Sequence, residues 1–132
     1  KDDFVKELGN QFLEQNKKRE GVKETPSGLQ YEVISESGEE LEKPTEESEV
    51  TVHYHGELLS GKVFDSSYSR DETISFALNQ VIPGWTEGLQ LMSLGSKYRF
   101  YIPYNLAYGE RGNQSIPGYS ALIFDVELFE FN

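Results

Sequence analysis

The chain has 132 residues, with 12 basic against 23 acidic side chains and a formal net charge of −11. That balance speaks against nucleic acid or an anionic membrane surface as the main partner, because both repel an acidic protein. The absence of cysteine removes disulfides, thiol catalysis and thiolate metal sites together, and no apolar run approaches the length of a membrane span.

The length suits one domain with a sizeable core, and eight Phe, eight Tyr and one Trp supply that core with large rings. The chain opens on Lys1 without a leader-like segment, which reads as a processed or excised chain. Asp2 to about Glu20 reads as a helix. Phe4, Leu8 and Phe12 fall at four-residue steps beside Val5 and Leu13, giving one apolar stripe. Asp2 and Asp3 suit its N-terminal end, Lys17-Lys18-Arg19 its C-terminal end, and Gly21 a stop. Two readings stand side by side: the helix packs on its own domain, or it links to a further N-terminal part or a dimer partner.

After Thr25-Pro26-Ser27-Gly28 the period changes, and Leu29 to Ile34 alternates as a strand. Ser35 to Ser48 is rich in Glu, Ser and Gly and reads as an acidic surface loop. Glu49 to His55 is a strand with Val50, Val52 and Tyr54 on one face and Thr51, His53 and His55 on the other. A break at Ser60-Gly61 leads to Lys62-Val63-Phe64-Asp65, and Thr73 to Leu78 is again extended. Val81 and Ile82 then read as the exit of an extended segment, and Pro83 starts a helix because the first turn needs no N–H from it. That helix runs to about Met92 and stops at Leu94-Gly95. Trp85, one turn in, points back towards Val81 and Ile82, making an apolar floor beside a free backbone N–H. Lys97 to Ile102 and Ala121 to Phe131 are strands, separated by a long Pro/Gly/Asn/Tyr loop. Hairpin-like strands with one short helix make an α+β domain, an antiparallel sheet wrapped around that helix.

Covalent chemistry finds little support. His53-x-His55 puts two imidazoles on one strand face, but no third ligand is near in sequence, so two half-exposed histidines are the better reading than a metal site. There is no Gly-x-Ser-x-Gly elbow and no phosphate-cradling glycine motif, and the sequence does not say which carboxylates would meet as an acid/base pair. Asn113-Gln114-Ser115 matches a glycosylation acceptor pattern by chance. The remaining candidates are aromatic and aliphatic: Tyr54, Phe64, Phe76, Trp85, Tyr108 and Phe124, with Val81, Ile82 and Ile116. Most such residues are simply core. Phe64 directly precedes Asp65, however, and Tyr108 lies in a turn-rich loop where a buried ring is unusual.

The blocks Val52-His53-Tyr54-His55-Gly56, Gly61 to Ser67, Val81-Ile82-Pro83-Gly84-Trp85, Ala107-Tyr108-Gly109 and Leu122 to Leu128 resemble, in order, the FKBP family of macrolide-binding peptidyl-prolyl isomerases. The resemblance runs from about Leu29 to Phe131. Phe12 to Val22 and Ser27 to Tyr31 are similar to the helix-linked bacterial Mip-like branch. The resemblance implies residues 1–24 as an N-terminal helix and linker and residues 25–132 as the isomerase domain, with no cofactor and no metal. It implies Trp85 as the floor of a proline pocket, with Tyr54, Phe64, Val81, Ile82 and Phe124 as walls. The Ile82 N–H and the Tyr108 hydroxyl would hold substrate carbonyls, Asp65 would orient the rim, and Ile74, Phe76 and Ile116 would complete it. Ile74 stands where relatives often carry Phe. The implied partners are proline-containing polypeptides and macrolide inhibitors, and a homodimer through an N-terminal region that these residues do not include. The bacterial cell envelope, as a periplasmic protein or lipoprotein, is the expected compartment, with the cytoplasm as alternative. A chaperone or binding module with little turnover is the competing function.

Overall fold

A computed structural model describes residues 2–36 and 42–132. Its strands are β1 (Val22–Glu24), β2 (Gln30–Ser35), β3 (Glu49–Leu58), β4 (Val63–Ser66), β5 (Ile74–Ala77), β6 (Lys97–Ile102) and β7 (Leu122–Phe131). They form one sheet in the order β1-β2-β6-β7-β3-β4, with β5 also on β3 and all pairings antiparallel. One edge of β3 runs along β7, from Val50 opposite Phe131 to Leu58 opposite Leu122. Its other edge is divided: Glu49–Val52 pair with β5 and His55–Glu57 with β4. Among the described residues two α-helices, α1 (Asp2–Asn16) and α2 (Pro83–Leu89), complete the fold.

The sheet packs α2 because the alternating strands turn one face to it. Val50, Val52 and Tyr54 of β3, Phe100 and Ile102 of β6, and Leu122, Phe124, Val126 and Leu128 of β7 are buried with Trp85 and Leu89 of α2. Closeness here depends on Gly84 and Gly88. A Cβ on Gly84 would lie 2.7 Å from Ile102 Cγ2, and one on Gly88 2.6 Å from Phe100 Cε1, so the helix backbone rests directly on β6. The expected end at Met92 is three residues late. Leu91 and Met92 bond back to Gly88 and Leu89 at 3.0 and 3.1 Å, an i−3 pattern that tightens the chain out of the α-helix.

α1 also ends early, at Asn16 rather than near Glu20, so Lys17-Lys18-Arg19 lie beyond it. The cause is tertiary. Asn16 is buried, its amide donates to Gln30 Oε1 at 2.9 Å, and Gln30 Nε2 donates back to the Leu13 carbonyl at 3.0 Å. With the helix end fixed to β2, the basic residues turn outward, and Arg19 reaches the Tyr101 hydroxyl at 2.9 Å and Glu32 at 3.3 Å. The apolar stripe is only half used: Phe12 meets Tyr101 at 5.9 Å between ring centroids, while Phe4 and Leu8 are 65% and 45% exposed. Residues 22–24, expected as linker, form the edge strand β1. Of the acidic loop expected over 35–48, residues 37–41 lie outside the described ones. Asn16→Ala is expected to destabilise the fold by about 1–3 kcal/mol, since it leaves the buried Gln30 carbonyl unpaired. Urea denaturation checks this, and an unchanged midpoint would mean that Gln30 finds another donor.

Candidate active site

Where β3, β4, β7, the start of α2 and the loop 103–120 meet, the fold leaves a cavity of about 760 Å³. Tyr54, Phe64, Asp65, Phe76, Val81, Ile82, Trp85, Tyr108, Ile116 and Phe124 all line it, so ten of the eleven expected positions converge. Ile74 does not. It sits on β5 opposite Val52 and packs half-buried against the core, two residues short of Phe76.

Trp85 is held by edge-on rings. Tyr54 and Phe76 each stand 5.3 Å from it and Phe124 5.4 Å, with interplanar angles of 84°, 83° and 79°. Such T-shaped pairs add to area burial because ring edges carry positive charge and faces negative. Phe64 stands on Phe124 in the same manner at 5.4 Å and 88°. Gly56 makes this close set possible: a Cβ there would lie 2.7 Å from both the Phe124 and the Phe64 ring.

Polar groups are few and sharply placed. The Tyr54 hydroxyl donates to Asp65 Oδ2, and Arg70 Nη1 donates to Asp65 Oδ1 at 2.9 Å. Partial burial pulls the Asp65 carboxyl upward, but the bonds from Tyr54 and Arg70 outweigh it and hold the group below its ordinary value. Burial, and then the bond to Asp65, push the Tyr54 hydroxyl up, so at neutral pH it stays a donor. Tyr108, 39% exposed, is likewise raised, by burial and by the charge of Asp65. Its hydroxyl has no hydrogen-bond partner among the described residues, and neither has the backbone N–H of Ile82 at the helix start.

Five residues of the site were not foreseen. Arg70 pairs with Asp65 from a short 3-10 turn at Tyr68–Arg70, a closeness created by folding with no sequence period to announce it. Gln80, Asn113, Gln114 and Ser115 form the polar side of the cavity. A local signal for one of them existed in Asn113-Gln114-Ser115. Asn113 Oδ1 accepts the Ser115 and Ile116 amides at 2.9 and 3.0 Å, an Asx-type turn that aims Ile116 into the cavity. The two histidines stand apart from the site. His53 lies stacked on Tyr68 at 4.5 Å, and His55 Nε2 is 2.9 Å from Glu57 Oε2.

Because Asp65 is depressed in the fold, its bonds add stability that is fully present above its ordinary pKa of 3.8 and lost as pH falls through the lower folded value. Wild type is therefore expected to melt above Asp65→Asn by a constant margin at pH 5 to 7, and the margin should close under more acidic conditions. A margin that persists unchanged to the acid limit would mean that Asp65 acts through shape alone. Its exposure keeps the effect small.

An antiparallel sheet wrapped on one short helix, with a ring-lined cavity at the helix start, defines the FKBP class of fold. The sequence model described as FKBP-type peptidyl-prolyl cis-trans isomerase matches residues 40–129, and that of the domain amino-terminal to it matches residues 3–33. An FKBP-type peptidyl-prolyl cis-trans isomerase FkpA from Aeromonas hydrophila is 55% identical over 120 residues, covering 91% of this chain and 44% of that protein. The Escherichia coli FKBP-type 22 kDa isomerase is 51% identical, covering 92% and 59%. The crystal structure of Escherichia coli FkpA superposes with a TM-score of 0.91 at 44% identity, covering 97% of this chain and 59% of that one. A peptidyl-prolyl isomerase structure from Pseudomonas syringae gives 0.91 at 33% identity, covering 100% and 96%. The chain belongs to the FKBP-type peptidyl-prolyl cis-trans isomerase family. It spans about half the length of the curated relatives that it matches.

Proposed function

We propose that this chain accelerates rotation about Xaa–Pro peptide bonds in exposed polypeptide segments. The supporting observation is one cavity in which a floor of interlocked rings lies beside two unused polar groups, the Ile82 N–H and the Tyr108 hydroxyl. The uncatalysed barrier is about 18–20 kcal/mol and comes from amide resonance. A proline ring seated on Trp85 between Tyr54, Phe64 and Phe124 brings its amide out of water. The planar amide is the more polar form, since resonance separates charge onto its oxygen, and the twisted amide loses that separation. A dry, ring-lined site therefore disfavours the planar ground state relative to the twisted transition state, which is differential binding. Ile82 N–H and Tyr108 O–H donate to carbonyls on either side and fix the segment while the bond turns. Asp65, tied to Tyr54 and Arg70, keeps the Tyr54 ring and the rim in place and transfers no proton. No nucleophile takes part.

A protease-coupled cis/trans assay on a peptide series varying the residue before proline tests this. Acceleration of at least some members is expected. Background rates throughout, with binding retained, would instead support a holding module.

Macrolides as ligands are part of the same proposal, and a cavity of about 760 Å³ suits a molecule of that kind. Saturating macrolide should raise the melting temperature and change Trp85 fluorescence. We also propose that the exposed Phe4 and Leu8 face a dimer partner or a preceding segment, and that the protein works in the bacterial envelope. Sedimentation of the full-length protein and fractionation of the cells that make it test these two.

A further inference from the structure

We propose that Lys6, Tyr104 and Tyr119 form a clamp through which α1 positions Tyr108 in the cavity. The inference rests on the isomerase reading only for what Tyr108 does once positioned. The loop 103–120 supplies Tyr108 and Ile116, and its two ends are drawn together outside the site. The rings of Tyr104, at its start, and Tyr119, near its end, meet edge-on at 4.8 Å. The Lys6 ammonium, from the second turn of α1, lies 5.8 Å from the first ring centroid and 5.2 Å from the second, both within cation–π reach. Gly9, one turn further on, is buried against Ala121 and the Tyr119 carbonyl, so the helix rests on the exit of the loop itself.

The same two tyrosines hold the chain beside Tyr108 through their backbones. Gly109 N–H donates to the Tyr104 carbonyl at 2.9 Å, and Tyr119 N–H donates to the Gly109 carbonyl at 2.9 Å. Gly109 directly follows Tyr108 and is bonded on both sides. Tyr119 adopts φ of +65°, a left-handed conformation that is costly for a bulky residue and survives only where its surroundings over-determine it. Its ring, against Tyr104 and Lys6, and its N–H bond to Gly109 hold it there together. A physical chain thus runs from one ammonium to two rings, two hydrogen bonds and the residue next to Tyr108. Displacing α1 loosens Tyr108.

The test compares Lys6→Met and Lys6→Arg in the present chain, reading amide hydrogen exchange and the kinetics of a proline peptide. Lys6→Met is expected to speed exchange at Gly109 and Tyr119 about two- to fivefold, the factor set by losing the half-buried cation–π contact of Lys6 with the two rings. Val52 and Val126 in the sheet should be unaffected, KM should rise by a similar factor, and Lys6→Arg should restore both. Unchanged exchange at Gly109 and Tyr119, or acceleration spread equally to Val52 and Val126, overturns the clamp. Accelerated exchange with unaltered peptide kinetics overturns its role in positioning Tyr108. The wild type separates this from the previous proposal: failure to isomerise sinks the proposed function, while exchange still judges the clamp.

Discussion

Trp85→Ala is expected to lower both stability and turnover more than any other single change at the site. The side chain is buried, and removing a buried ring of this size costs about 3–5 kcal/mol out of a total of about 5–15 kcal/mol. Tyr54, Phe76 and Phe124 each lose an edge-on partner at once, so the cavity collapses rather than simply deepens. Two companions separate stability from chemistry. Trp85→Leu keeps a branched apolar side chain among Tyr54, Phe76 and Phe124 but removes the flat floor. Phe64→Ala removes a half-buried wall at lower cost to the fold. Both should remain folded by circular dichroism and lose at least about tenfold in kcat/KM, the effect of about 1.4 kcal/mol of transition-state stabilisation. Wild-type rates in folded Phe64→Ala and Trp85→Leu proteins would put the reaction elsewhere.

Gly112→Ala should disable the site by a different route. Gly112 has φ of +65°, and a Cβ there would lie 2.0 Å from the Ile116 carbonyl oxygen and 2.7 Å from the Pro117 carbonyl carbon. That Ile116 oxygen accepts the Asn113 N–H at 2.8 Å, while Gly112 N–H reaches the Tyr108 carbonyl at 3.2 Å. The methyl therefore breaks the turn that carries Ile116 and pulls on Tyr108, with backbone strain of about 1–2 kcal/mol added. The loop lies at the edge of the fold, so the melting temperature should fall only modestly. A loss in kcat/KM of about tenfold or more is expected, with shifted resonances at Tyr108 and Ile116. Full activity with unshifted resonances would mean that the loop has another seat for Ile116.

Much of this arrangement is legible in the residues. Period-two alternation marks β3, β6 and β7, because a strand half-buried on α2 must send every second side chain inward. Pro83 announces the start of α2 by its own covalent constraint. The ends of both helices are not legible in the same manner. α1 stops at Asn16 because a side chain fourteen residues later holds it, and no local pattern reports Gln30. β1, three residues long, is too short to show a period at all, and β4 hides behind the bulge in its pairing with β3. At the site, the rings are found through the order of their motifs. Arg70 and Gln80 are found only when the chain has folded, since neither carries a spacing that requires a pocket. Tyr101 shows how one face can mislead: alternation assigns it outward, and α1 buries it there.

The pairing of β3 with β7 also sets a temporal order. Leu58 and Leu122 stand opposite each other, yet β4, β5, α2 and β6 lie between them along the chain. Such distant pairing makes closure a late and comparatively slow event in folding. Phe124, on the strand that arrives last, is both a ring beside Trp85 and the seat of Phe64. A nascent or truncated chain that ends before β7 therefore has neither a finished sheet nor a finished cavity. Completion of the cavity waits on the final strand.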